Sequence, residues 1–158
     1  MSTRSDWKIV LLAWVVAGSM DITAALTYYP LTTGVRPTQI LHGIASGLLG
    51  PGAFQGGFRT AALGLALHYL IAFVWTVVFF LAAREFKGLT TNRFLVGMVY
   101  GVVVWIVMNL IVLPLSNARR APFNLTQAAI GAVILMFCIG LPIATIVGRH
   151  QAGAGDEA

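Results

Sequence analysis

Charge is what this chain has least of. Only 9% of its 158 residues are charged, and five are acidic. A soluble domain carries roughly 25% charged residues. With 58% hydrophobic residues and a mean hydropathy of +0.86, a water-exposed globule is excluded and a single membrane domain follows. Cysteine is almost absent. The single Cys138 lies inside an apolar run, which excludes an internal disulfide and a cysteine-based metal site and makes it a buried, inert thiol. There is no Walker loop and no GxGxxG after a strand. Paired carboxylates are also lacking, because Asp21 is the one carboxylate within an apolar run. Ser46 and Ser116 are near no convincing base, so no catalytic residue is assigned and enzymatic activity is left open.

The net charge of +5 and pI near 10.0 would suggest nucleic acid in a soluble protein. Here the basic residues sit at the ends of apolar runs, where they act as membrane anchors and topology signals, so nucleic acid is not expected as a partner.

Four runs are long enough to cross a bilayer: about Ile9–Tyr29, Thr60–Ala83, Phe94–Leu115 and Leu125–Gly148. None alternates polar and apolar residues as a barrel strand would. Arg4 and Lys8 before the first run resemble a signal peptide. The apolar stretch outlasts such a segment and Asp21 interrupts it, so an uncleaved first helix is expected. If the N-terminus is cytoplasmic, Arg4, Lys8, Arg84, Lys87, Arg93 and Arg149 lie inside, against Arg36, Arg59, Arg119 and Arg120 outside. This bias favours both termini in the cytoplasm.

The connection from Pro30 to Arg59 is not ordinary loop sequence. Pro37 suits a first helical position and Gly50-Pro51 a stop, predicting a helix over about 37–49. Ile40, Leu41, Ile44, Leu48 and Leu49 form one apolar face. This helix is too short to span, so it is expected to be interfacial or re-entrant. Gly52 to Gly57 reads as a flexible return, residues 151–158 as a disordered tail, and no internal repeat stands out. Pro142 is expected to kink the fourth span by freeing the Cys138 carbonyl, and Pro114 to kink or end the third.

Polar residues inside these runs carry the functional reading. In alternating helices Asp21, His68 and Asn109 fall about 10–12 Å inside one face of the bilayer, at 1.5 Å per residue. Ionisable groups at that depth cost several kcal/mol unless partnered, and they usually mark function. Each also lies on a stripe of small residues that favours helix contact: Ala13, Ala17, Ala25 with Asp21; Ala61, Gly64, Ala72 with His68; Gly97 and Gly101 with Asn109. Asp21, His68 and Asn109 are therefore candidate ligand or proton-binding residues. His42 joins them if the short helix folds into the bundle. A structural role, with the cluster fixing helix register, stays open beside the functional one. Ser19 and Thr23 are expected to bond to backbone carbonyls of their own helix. No metal or cofactor is assigned: Asp21, His68 and His42 could form a trio, but their spacing does not require a metal.

The stretches Ala45-Ser46-Gly47-Leu48-Leu49-Gly50, Ala61-Ala62-Leu63-Gly64-Leu65-Ala66-Leu67-His68-Tyr69 and Val107-Met108-Asn109-Leu110-Ile111-Val112-Leu113-Pro114-Leu115 resemble a family of small four-helix bacterial inner-membrane proteins of unassigned activity. The chain is more distantly similar to YagU-type proteins. The resemblance implies an inner-membrane location and four helices, and transfers no catalytic residue.

The expected fold is an all-α, antiparallel four-helix membrane bundle over residues 1–150, with a short interfacial or re-entrant helix between the first two spans. Four helices make a thin bundle, so a homo-oligomer in contact with membrane lipids is expected. The leading functional expectation is transport, permeation or sensing of a small solute or of protons through the Asp21–His68 pair. Two alternatives stand beside it: an accessory subunit of a larger membrane complex, and an intramembrane binder of a lipid, quinone or haem.

Overall fold

The computed structural model describes residues 3–118 and 124–155, and these are overwhelmingly helical with no strand among them. The elements in order are α1 (Thr3–Thr33), α2 (Pro37–Leu49), α3 (Gly57–Glu85), α4 (Arg93–Val107), α5 (Leu113–Leu115), α6 (Leu125–Leu135) and α7 (Leu141–Gly155). A π turn over Met108–Val112 joins α4 to α5, and another over Met136–Gly140 joins α6 to α7. The result is four rods long and apolar enough to cross a membrane, Asp6–Thr33, Gly57–Glu85, Arg93–Leu115 and Leu125–Ala152. Large apolar side chains such as Leu12, Leu70, Val74, Leu81 and Leu110 point outward on several rods. A soluble monomer rarely carries so much exposed apolar surface. It fits a multi-pass membrane protein.

Local chemistry sets the helix ends. Arg36 is extended ahead of Pro37, and its N–H donates to the Gln39 side chain at 2.8 Å. Gly50 closes α2 at φ +67°, a conformation an L side chain rarely adopts. Asn92 and Asn124 cap α4 and α6 by accepting from the N–H groups of Leu95 and Gln127, each at 3.1 Å.

Three boundaries and one motif differ from the sequence reading. The first helix passes Pro30 and runs to Thr33. The Gly34 N–H donates to the Pro30 carbonyl at 3.1 Å, and the Thr32 and Thr33 hydroxyls add bonds to the Tyr28 and Tyr29 carbonyls in the last turn. The return expected to be flexible is a 3₁₀ helix, Gly50–Gln55, held where Thr60 Oγ1 donates to the Ala53 carbonyl at 2.8 Å. The last helix continues through residues expected in a disordered tail: α7 reaches Gly155, and the Gln151 amide donates to the Phe80 carbonyl at 3.1 Å. Residues 156–158 lie outside the described residues, as do Arg119 and Arg120, which entered the charge count. Finally, a short repeat does exist. Met108-Asn109-Leu110-Ile111-Val112-Leu113-Pro114 and Met136-Phe137-Cys138-Ile139-Gly140-Leu141-Pro142 share Met, Ile, Leu and Pro at matching places, and each begins with a π turn. A proline cannot donate to the carbonyl four residues back, and a widened turn ahead of it absorbs the mismatch.

Glycine sets the closest helix contacts. A Cβ on Gly140 would strike the Gly97 carbonyl oxygen, and one on Gly101 would strike the Met136 backbone. A Cβ on Gly64 would strike the Leu41 carbonyl, so α2 lies directly against α3. The largest fully buried side chains are Phe79, Ile143, Val104, Val147 and Thr76, joined by Ala13 and Ala17 of α1.

Candidate functional site

Asp21 on α1 and His68 on α3 meet. Asp21 Oδ2 stands 3.9 Å from His68 Nδ1, with side chains only 18% and 11% exposed. The other ring nitrogen is already committed, since His68 Nε2 lies 2.9 Å from the Gly18 carbonyl oxygen. A carbonyl can only accept, so Nε2 carries a proton and Nδ1 is the atom that faces the carboxylate. The contact can hold one further proton, on His68 Nδ1 or on Asp21. Neighbouring bonds fix the two helices in this register. Trp14 Nε1 donates to the Tyr69 carbonyl at 2.7 Å, and the Ser19 and Tyr69 hydroxyls bond at 2.9 Å. Ser19 thus bonds between helices rather than to its own backbone, because Tyr69 stands one residue from His68 on the facing rod.

The pair opens onto a cavity of about 320 Å³. The walls are Ile22 and Ala25 of α1, Ile71 and Trp75 of α3, Val104, and residues of both π turns, Met108, Val112 and Ile139. The short helix supplies a cap through Ile40, Gly43, Ile44 and Gly47, with Ser116 and Ala118 beside it. That cap is tied down: the Asn117 N–H donates to the Gly47 carbonyl at 2.9 Å, and the Asn117 amide to the Leu48 carbonyl at 3.1 Å. Binding sites for small molecules commonly fall within about 300–1,000 Å³ and pair apolar walls with a few polar groups.

The other two candidate residues point elsewhere. The Asn109 amide donates to the Trp105 carbonyl on its own rod at 2.9 Å and does not line the cavity. The stripe Gly101–Trp105–Asn109 faces α6 and its π turn: Gly101 abuts Met136, and the Trp105 ring lies by Gly131. The cavity side of this rod is Val104, Met108 and Val112 instead. His42 is buried in α2, but its Nε2 donates to the Gly57 carbonyl at 2.9 Å and its ring meets Phe54 edge-on. It fastens α2 to the start of α3. Among the described residues no three His, Cys, Asp or Glu side chains converge as a metal site would require.

A second Asp–His pair escaped the sequence reading. His150 Nε2 donates to Asp6 Oδ1 at 2.8 Å, joining α7 to the start of α1. Both residues lie outside the apolar runs, so an argument from depth passes over them. Fifteen residues separate Asp6 from Asp21, placing the two pairs about 22 Å apart along α1. We expect Asp6→Ala to cost about 1 kcal/mol, as a side-chain hydrogen bond in reach of water is lost. Amide exchange in the last turn of α7 should quicken about fivefold, and unchanged exchange would show that the bond does not hold the helix end.

No family model, no curated protein and no solved structure matches the chain, so the geometry of Asp21, His68 and their cavity is the ground for a functional reading.

Proposed function

We propose that this chain is a multi-pass protein of the bacterial inner membrane that moves or senses a small solute through a proton held between Asp21 and His68. The observation that carries this reading is the 3.9 Å Asp21–His68 contact in the wall of an apolar cavity. An ionisable pair embedded in apolar helices is costly to keep, and its usual use is to take up and release charge. The two π turns in the wall support movement. Each replaces part of the regular hydrogen-bond ladder, and such turns occur frequently at functional sites.

The architecture we propose is an antiparallel bundle with α2 as a re-entrant or interfacial cap. The reversed order of contacts supports it: Trp14 meets Phe73 while Ser19 meets Tyr69, Gly97 meets Gly140 while Trp105 lies beside Gly131, and Asp6 at the start of α1 meets His150 near the end of α7. In this arrangement Lys8, Arg84, Lys87, Arg93 and Arg149 gather at the Asp6–His150 end, which we take as cytoplasmic. Homo-oligomerisation belongs to the same proposal.

The test is proton flux into proteoliposomes followed with an entrapped pH dye under an imposed potential. Wild type is expected to conduct, and Asp21→Asn, purified as a folded monodisperse protein, to lose at least tenfold of the rate. Equal flux in both, or none in wild type, would remove the proton-carrying role. A second reading rests on the cavity itself: a site for an apolar ligand whose polar end meets the pair.

A further inference from the structure

The walls of the cavity carry an unbalanced set of charges. Asp21 is the one carboxylate that lines it, and no lysine or arginine does among the described residues. The basic partner of Asp21 is His68, a base that can give its proton away, and its Nε2 is already bound to the Gly18 carbonyl. The other titratable groups within electrostatic reach of Asp21 are Tyr29 on α1 and Cys138 in the second π turn. His42, the titratable group of the cap, is turned to Gly57. A positive group entering this space therefore finds one acceptor, Asp21, and one competitor, the proton on His68. Trp75 adds an aromatic side chain, which can attract a cation through its ring face. The remaining lining is almost wholly aliphatic. An engineered apolar cavity of about 150 Å³ accommodates benzene. The space here, about 320 Å³, suits one ring or a short branched chain together with a small head group.

We infer that the cavity binds a hydrophobic monocation, an amine or quaternary ammonium on a single apolar ring or short chain, with Asp21 as counter-ion. Entry of the cation transfers the Asp21 carboxylate from His68 to the ammonium, and His68 Nδ1 releases its proton to water. One positive charge enters and one leaves, so the buried site keeps its net charge. The inference rests on the proposed proton-accepting role of the pair and assigns it a solute class.

The test uses the full chain in detergent and benzyltrimethylammonium as probe, a cation that cannot itself lose a proton. Its uncharged isostere neopentylbenzene and the anion phenylacetate are compared as competitors at equal free concentration. Saturable binding of the ammonium is expected, with both competitors at least tenfold weaker and Asp21→Asn at least tenfold weaker than wild type. His68→Gln, which removes the releasable proton and keeps an amide near Gly18, should still bind the ammonium. Calorimetry in buffers of different ionisation enthalpy should show proton release on binding in wild type. Preference for the isostere or the anion, absence of saturable ammonium binding, or no proton release on binding in wild type would each overturn the assignment. Failure of the ammonium to bind while Asp21-dependent proton flux persists would remove the solute class alone. Ammonium binding without any proton flux would support the class and remove transport.

Discussion

Gly140→Val should be strongly destabilising, costing about 3 kcal/mol or more. The glycine sits in the second π turn, where even a methyl group would meet the Gly97 carbonyl oxygen and the Gly101 backbone. Those atoms belong to the rod that faces it, and backbone cannot swing aside as a flexible side chain can. The two rods would have to separate along their length, opening the contacts around Val104, Ile139 and Ile143. Small residues drive helix association in lipid by allowing close approach, because no hydrophobic difference separates a leucine from a lipid tail. The measurement is equilibrium unfolding in mixed micelles of dodecyl maltoside and SDS. A midpoint that moves markedly to lower SDS is expected. A midpoint within error of wild type would show that the rods are not packed at this distance. Gly43→Ala, where an added Cβ meets nothing within 4 Å, serves as the silent control.

The second large effect separates use from glue at the Asp21–His68 pair. His68→Leu leaves the Asp21 carboxylate in an apolar wall without its partner, and the loss of one member of a buried pair costs about 3 kcal/mol, less where the carboxyl group takes up a proton. Replacing both members by apolar residues of similar size removes the unpartnered charge, so Asp21→Leu with His68→Leu should recover most of that stability. Proton flux should be absent from the single and the double variant alike, and ammonium binding from the double variant, which lacks the Asp21 counter-ion. If instead the double variant is as unstable as His68→Leu, the pair acts as structural glue between α1 and α3. The same unfolding assay and the proteoliposome assay give the two readouts on one set of proteins.

The sequence makes some of this arrangement legible for identifiable reasons. The short helix runs Pro37–Leu49, with Arg36 extended before it and Gly50 at positive φ after it, so proline and glycine mark both ends. Asp21 and His68 stand at matching depth on stripes of small residues, and the structure brings their side chains together. Asn109 shares that depth but its stripe faces another helix. Spacing along one helix identifies a face without saying which neighbour the face will meet. The cavity was not legible, because its cap comes from α2 and from residues near Ser116, brought together by Asn117 across 69 positions of sequence. The π turns were hidden too, since a proline announces a disturbed turn and not its form. The repeated Met-to-Pro heptad was the available signal. Asp6 and His150 lie 144 positions apart, and the expectation of both termini on one side brings the two chain ends together without naming which residues pair.

The proton between Asp21 and His68 is the centre of this account, and nitrogen NMR of the three histidine rings in lipid nanodiscs observes it directly. With ¹⁵N-histidine protein, and His42→Gln and His150→Gln for assignment, each ring nitrogen of His68 reports its own proton. The expected result is an Nε2 that stays protonated against the Gly18 carbonyl as pH is varied, with an Nδ1 resonance that changes with pH and shifts when Asp21 is replaced by Asn. An Nδ1 resonance that ignores both pH and Asp21→Asn would contradict the account.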